Sequence, residues 1–226
     1  MIKRIGGGYL SVDCIVILGG SFDPVHAGHI AIAEYFCHLF QTRILRLIPA
    51  GNPWQKPILH ASATQRIDML KLAFDTSLLS VTIDRQETER RGPGYTVDTL
   101  RAIRAETGNE ASLVFILGAD QLLNLNTWHQ WKQLVEFAHI AVASRPGFVI
   151  APSTLPPEVH DLFFSRLANP EKIRNTPCGH TFLAESIDVD ISASEIRENT
   201  GHSDTYHPLV PTKVLDYIVK NNLYRD

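Results

Sequence analysis

The chain has 226 residues, 44% of them hydrophobic, and a formal net charge of −3 at neutral pH. This length and apolar content fit one folded domain and argue against a disordered chain, and the slight acidity gives no overall basic field to attract nucleic acid. The three cysteines are scattered without a C-x-x-C pair, which favours a reducing compartment over a disulfide framework or a zinc site. No apolar run is long enough to span a membrane. We therefore expect a cytoplasmic protein with a flexible lead-in over residues 1–13, one domain over 14–226, and no membrane or nucleic-acid partner.

A loop rich in glycine and histidine follows the first predicted strand. The apolar run at 14–18 predicts a buried strand and a helical pattern follows His29, so the loop lies where α/β sheets bind ligands. Gly19 and Gly20 allow a sharp turn and a close approach of the backbone to a ligand. His26 and His29 are three residues apart and share one face of the first helical turn. The free N–H groups and the dipole of that turn favour an anion, so the loop predicts a phosphate-binding site.

Strand-like and helix-like segments then alternate along the chain. Further strands are predicted at 43–49, 78–83, 111–117, 137–144 and 181–189. Capping signals and helical periodicity predict helices that begin at Ser62, at Thr96 and at Pro211, and Gly108 is predicted to end the second of these. This alternation is typical of a single Rossmann-like α/β domain with a doubly wound, mainly parallel sheet.

Two segments in the first half carry candidate ligand contacts. The loop at 50–57 is rich in glycine and proline, and its Trp54 and Lys56 either clamp a ligand or lie on a solvated surface. The charge run at 87–91 predicts a solvated loop. Thr96 is the candidate N-cap of the helix that follows, whose N-terminus either offers N–H groups to an anion or is an ordinary capped end.

The end of the fourth predicted strand carries a glycine and a carboxylate, Gly118 and Asp120, like the end of the first. In a doubly wound sheet, the ends of the strands at the reversal point face one crevice. Asp120 suits a ribose hydroxyl, a hydrated metal ion or a helix N-cap, and these alternatives stay open.

The proline-rich stretch at 148–179 predicts a loop with a short helix near 158–167, and it is either an oligomer contact or a lid.

Two motifs resemble those of the nucleotidyltransferase superfamily that carries a His-x-Gly-His signature. Gly-Ser-Phe-Asp-Pro-Val-His-Ala-Gly-His at 20–29 resembles the nicotinate-nucleotide adenylyltransferase branch, and Ile-Ser-Ala-Ser-Glu-Ile-Arg at 191–197 resembles its second signature, Ile-Ser-Ser-Thr-x-Ile-Arg. At 53–56 the family has Pro-Pro-His followed by Lys or Arg, whereas this chain has Pro-Trp-Gln-Lys. The basic residue is kept, but any role of the missing histidine is not carried over.

The resemblance implies adenylyl transfer from ATP, taken up with Mg²⁺, to nicotinate mononucleotide, which gives nicotinate adenine dinucleotide and pyrophosphate in NAD biosynthesis. No protein-bound metal is expected, and homo-oligomer formation is left open. The implied catalytic residues are His26, His29 and Arg197. The implied ATP contacts are Gly19, Gly20, Ser21, Phe22, Gly28, Gly118, Asp120, Ile191, Ser192 and Ser194. The implied acceptor contacts are Asp23, Lys56, Thr96, Val97, Trp128 and His129.

Three alternatives remain. A phosphopantetheine adenylyltransferase typically has Thr-x-Gly-His where this chain has a histidine at position 26. A class I aminoacyl-tRNA synthetase would carry a Lys-Met-Ser-Lys-Ser segment, which this sequence lacks. A non-catalytic nucleotide-binding regulator would not require both motifs to be intact.

Overall fold

One parallel sheet of six strands organises the chain. The computed structural model describes residues 13–51, 59–144, 154–184 and 209–224. The strands are β1 (Cys14–Gly20), β2 (Ile44–Pro49), β3 (Ser80–Ile83), β4 (Ser112–Gly118), β5 (His139–Ala143) and β6 (Thr181–Leu183). They lie in the order β3-β2-β1-β4-β5-β6, and each neighbouring pair is parallel. The direction of winding reverses between β1 and β4, which confirms the Rossmann-like α/β fold predicted from the sequence.

The helices connect the strands and cover both faces of the sheet. They are α1 (Ala27–Leu39), α2 (Ala63–Ala73), α3 (Gln86–Glu89), α4 (Thr96–Thr107), α5 (Ala119–Leu123), α6 (Leu134–Phe137), α7 (Pro157–Phe164), α8 (Pro170–Arg174) and α9 (Thr212–Lys220). Short 3₁₀ turns lie at Leu125–Thr127 and Trp131–Gln133. In the ranges given above, no helix is both long and apolar enough to cross a bilayer.

The central strand β1 is buried on both faces. Val16 and Leu18 belong to an apolar layer that includes Phe36 of α1, whereas Ile17 belongs to the opposite layer, which includes Leu100 of α4. Successive side chains of a strand point to opposite faces, and a parallel strand covered on both sides is apolar throughout. The apolar run at 14–18 therefore follows from this position in the sheet.

Two of the predicted helix ends are confirmed in detail. The Ser62 hydroxyl accepts a hydrogen bond from the Gln65 N–H at 3.3 Å, and the Gln65 side-chain oxygen accepts one from the Ser62 N–H at 2.9 Å. This reciprocal arrangement is the predicted capping box at the start of α2. Gly108 ends α4 with a φ of +80°, a conformation that favours glycine.

Several predicted boundaries are wrong. The third strand begins at Ser80 rather than at 78, because the Leu79 N–H bonds to the Ser77 hydroxyl at 3.2 Å in a turn, and Leu78 is 85% exposed. Tyr95, rather than Thr96, is the N-cap of α4, because its carbonyl already accepts the Asp98 N–H. The part of the predicted last strand after residue 184 lies outside the described residues, as does the predicted lead-in apart from residue 13.

A buried histidine begins β5. The Nε2 of His139 donates to the Thr176 carbonyl at 2.8 Å, and its Nδ1 accepts the N–H of His180 at 3.1 Å. These two bonds suit a neutral ring with its proton on Nε2. The side chain is fully buried, and burial is the main cause that lowers the pKa of His139 to about 4. The folded chain therefore resists protonation of this ring.

We expect the free energy of unfolding to decrease as the pH falls from about 6.5 towards 4, because the unfolded chain takes up a proton that folded His139 does not. The loss from this residue at about pH 5 is about 2 kcal/mol. Urea unfolding at about pH 7.5 and about pH 5 measures it. His139→Gln should show a smaller loss between these two pH values, whereas His60→Gln, at an exposed position, should keep the full loss. Equal losses in the wild type and His139→Gln would contradict the prediction.

Candidate active site

The loops that follow β1 and β4 start side by side. β1 and β4 pair in parallel with Leu18 opposite Ile116, so both strands end at the same edge of the sheet. Gly118, at the end of β4, and Asp120, at the start of α5, therefore lie next to the loop after β1, as predicted. A Cβ built at Gly118 would lie 2.5 Å from an Asp120 carboxylate oxygen, which places this carboxylate over the Gly118 backbone.

Asp120 does not cap its helix. The N-cap of α5 is Gly118, and Asp120 lies exposed in the first turn of this helix. Its side chain accepts a hydrogen bond from the Gln121 amide at 2.8 Å. Of the alternatives left open by the sequence, the N-cap is therefore excluded, and contact with a ribose hydroxyl or a hydrated metal ion stays a prediction.

The two histidines of the loop contact each other at the start of α1. His26 is the N-cap, and the centroids of the His26 and His29 rings lie 3.8 Å apart. The His26 N–H donates to the Nδ1 of His29 at 3.3 Å, so a neutral His29 ring carries its proton on Nε2. The Phe22 ring packs edge-on against His29 with centroids 4.9 Å apart. The N–H on Nε2 suits a phosphate oxygen as its acceptor.

The amides of the first turn of α1 are less available than the sequence predicted. The Ala27 N–H donates to the Leu209 carbonyl at 2.7 Å, and the His29 N–H donates to the His26 carbonyl at 2.9 Å. These two groups are therefore used within the protein: the C-terminal segment accepts the first, and the N-cap residue of α1 accepts the second. The binding of an anion at this turn stays a prediction.

Asp23 and Arg66 hold the loop after β1 from inside. Asp23 is 2% exposed, and its carboxylate accepts hydrogen bonds from the His60 N–H at 2.7 Å, the Ala61 N–H at 3.0 Å and the Tyr224 hydroxyl at 2.7 Å. The buried Arg66 donates to the carbonyls of residues 21 and 50, each at 2.7 Å. Burial lowers the pKa of the Arg66 guanidinium, and the negative charge of Asp23 opposes this effect. The loops after β1 and β2 are thereby joined.

A stacked pair lies at the start of α4. The rings of Tyr95 and His129 stack with centroids 4.3 Å apart at an interplanar angle of 27°. Trp128 packs against the apolar layer that includes Leu100, and its buried indole N–H bonds to none of the described residues. The structure thus brings the predicted acceptor contacts Thr96, Trp128 and His129 to one region. Sequence reasoning missed Tyr95, because no local pattern indicates a stack between residues so far apart in the chain.

Glu87 corrects the prediction of a solvated loop at 87–91. It lies on α3 and is half-buried, and its side chain accepts a hydrogen bond from the Thr99 hydroxyl of α4 at 2.9 Å. A Cβ at Gly51 would lie 1.9 Å from the Glu87 carbonyl oxygen, so this close approach requires glycine. Burial raises the pKa of the Glu87 carboxyl. The charge pattern failed here because this carboxylate joins the end of β2 to α4.

Comparison with known proteins identifies the family. Residues 17–199 match the model of the cytidylyltransferase-like family. A relative from Herminiimonas arsenicoxydans, named "Probable nicotinate-nucleotide adenylyltransferase", is 50% identical over 94% of this chain and 97% of its own length. A relative of the same name from Chromobacterium violaceum is 40% identical over 92% of this chain and 97% of its own length. This chain belongs to the nicotinate-nucleotide adenylyltransferase family, whose members are nucleotidyltransferases.

A solved structure supports the fold of this adenylyltransferase family member. The Plasmodium falciparum nicotinic acid mononucleotide adenylyltransferase complexed with NaAD superposes with a TM-score of 0.71 and covers 94% of this chain and 97% of that one. The two are 20% identical, so the likeness carries the fold alone. The family resemblance found in the two sequence motifs is confirmed by the relatives.

Part of the predicted site lies outside the described residues. Lys56 falls in 52–58, and Ile191, Ser192, Ser194 and Arg197 fall in 185–208. Among the residues that the structure describes, no three His, Cys, Asp or Glu side chains cluster as metal ligands do. The roles of individual site residues remain predictions.

We expect Glu87→Gln to gain stability relative to the wild type as the pH rises from about 4 to about 7. A carboxyl whose pKa is raised by folding loses stability when it ionises, whereas an amide of the same shape does not titrate. Urea unfolding at both pH values measures the change. Glu89→Gln, on the same short helix but exposed, is the matched control and should show no such gain. A pH-independent difference between Glu87→Gln and the wild type would contradict the prediction.

Proposed function

We propose that this chain transfers the adenylyl group of ATP to nicotinate mononucleotide, giving nicotinate adenine dinucleotide and pyrophosphate. The observation that carries the proposal is the paired His26 and His29 at the reversal point of the sheet, in a chain 50% identical to a relative named for this activity. The Plasmodium falciparum neighbours, complexed with NaAD in one case and with APC in the other, have the same fold. The cytoplasmic location stays a prediction from the cysteines.

The reaction requires positioning and charge neutralisation rather than a protein nucleophile. A phosphate oxygen of the acceptor attacks the α-phosphorus in line, a new P–O bond forms, and the bond from the α-phosphorus to the bridging oxygen breaks as pyrophosphate leaves. Mg²⁺ enters with ATP as part of the substrate and partly neutralises the negative charge of the triphosphate. Preorganised donors that meet charge as it develops supply most of the rate enhancement in such a step.

The triphosphate end of the site is assigned to the loop after β1. His29 presents its Nε2 proton to a phosphate oxygen, and the buried His26 supports it through the ring contact at 3.8 Å. Gly19 and Gly20 end β1 with the rings of Phe115 and Phe22 packed against them, so they bring the strand end, rather than an open turn, to the nucleotide. Gly28 lies in the first turn of α1, and Gly118 and Asp120 border the nucleotide from the end of β4. Within this proposal the segment 191–197, with Ser192, Ser194 and Arg197, binds the β- and γ-phosphates.

The acceptor end is assigned to the start of α4. The first amides of this 12-residue helix, at Thr96 and Val97, lie at its positive end and suit the nicotinate carboxylate. The stack of His129 on Tyr95 holds the 128–129 segment against this helix end, which brings the Trp128 ring and the His129 N–H to the same region. Lys56 is assigned to the phosphate of the acceptor.

Pyrophosphate release with Mg·ATP tests the proposal, with nicotinate mononucleotide, nicotinamide mononucleotide and phosphopantetheine compared as acceptors. Turnover with nicotinate mononucleotide well above the other two is the expected result. Preferred turnover with phosphopantetheine would keep the family chemistry and overturn the acceptor. Folded protein that binds ATP but releases no pyrophosphate with any acceptor would instead indicate a nucleotide-binding regulator.

We expect His29→Ala to lower kcat about 10²–10³-fold, because it removes one preorganised donor to the charge that develops on the phosphates. Steady-state kinetics of pyrophosphate release measures the change, and circular dichroism checks that the fold is intact. His38→Ala, at an exposed position on the same helix, is the control and should leave kcat unchanged. An unchanged kcat in His29→Ala would remove His29 from the catalytic machinery.

A further inference from the structure

The C-terminal segment, residues 209–224, holds the loop after β1 at two points. The Leu209 carbonyl accepts the N–H of Ala27 at 2.7 Å, and the Tyr224 hydroxyl donates to the Asp23 carboxylate at 2.7 Å. Helix α9 lies between these two contacts and is anchored in the core by Val214, which is fully buried. The loop that carries the two histidines is therefore bonded to a part of the chain about 200 residues away in sequence.

The Asp23 carboxylate accepts hydrogen bonds from other groups of the protein. One oxygen accepts the N–H of His60, and the other accepts the N–H of Ala61 together with the Tyr224 hydroxyl. Hydrogen bonds to an ionised carboxylate are roughly twice as strong as those between neutral groups. Asp23 is only 2% exposed. These bonds direct its carboxylate towards Tyr224 and towards the residues that precede α2, away from solvent.

Movement of Asp23 would reach both imidazoles of the site. His26 lies three residues further along the loop, and the intervening Val25 is fully buried, so a displacement of Asp23 is passed along this short packed segment. Phe22, on the other side of Asp23, packs its ring against His29 at 4.9 Å. A misplacement of about 1 Å in a reacting geometry costs about 10²-fold in rate.

We propose that Tyr224 is a positioning residue that holds Asp23, and through Asp23 the two histidines, in the geometry that the reaction requires. The proposal also reassigns Asp23 from the acceptor contact predicted from the sequence to the anchor of the loop. Its kinetic consequence rests on the proposed function, but the anchoring of the loop does not.

Tyr224→Phe tests the proposal with the loss of a single hydroxyl. We expect kcat to fall about 10-fold, with KM for ATP and for nicotinate mononucleotide changed by less than about twofold, since substrates still bind but the histidines are less well placed. Tyr217→Phe is the matched control, because its hydroxyl lies on the same C-terminal segment at 3.5 Å from Asp68. This control should leave kcat and the two KM values unchanged.

A double-variant cycle separates anchoring from substrate contact. Asp23→Asn keeps the shape of the side chain but weakens the acceptor of the Tyr224 hydroxyl, so Tyr224→Phe should change kcat by less than about twofold in that background. If Asp23→Asn instead raises KM for nicotinate mononucleotide and the effect of Tyr224→Phe is fully additive, Asp23 contacts the acceptor and the proposal is overturned.

Hydrogen exchange provides a readout that does not depend on activity. Amides of residues 21–29 should exchange several-fold faster in Tyr224→Phe than in the wild type and Tyr217→Phe. A wild-type protein without pyrophosphate release would overturn the proposed function and leave this exchange test to decide the anchor. The role of Tyr224 would be overturned if the amides of Tyr224→Phe exchanged as slowly as those of the wild type. It would also be overturned if the wild type were active and Tyr224→Phe had the same kcat.

Discussion

Because β1 pairs with β2 on one side and with β4 on the other, the chain must reverse its direction of winding between β1 and β4. No helix can cover the strand ends at that point, and the loops after both strands open into one crevice. The paired histidines after β1 and the Gly118 and Asp120 pair at the junction of β4 and α5 both take their positions from this reversal. The site is thus a consequence of strand order, and the side chains add the chemistry to it.

The sequence was sufficient for features whose causes are local. The capping box of Ser62 and Gln65 and the glycine end of α4 are interactions within one turn, and the apolar run of β1 reflects burial on both faces. The failures were of another kind. Glu87 was assigned to a solvated run because the pattern of charges does not indicate which segments pack against it, namely α4, which follows directly, and the backbone at Gly51 after β2.

The candidate site shows the same division. The resemblance to the family pointed to His26 and His29, and the structure adds how the two rings and the His26 N–H are arranged. The resemblance could not indicate that the Tyr95 ring would stack on His129, or that Asp23 would be bonded to Tyr224, because both contacts join residues far apart in the chain. Only the tertiary structure determines which donors of a loop are already used by the protein.

The contact between Asp23 and Tyr224 spans 201 positions of the chain, which has a consequence for biosynthesis. On a ribosome that adds about 5–20 residues per second, the histidine loop emerges roughly 10–40 s before the tyrosine that fastens it. During that interval the sheet can form around β1 and β4, while the loop waits for its last partner. A nascent chain can therefore form the sheet around this loop before the loop gains the hydrogen bond from Tyr224.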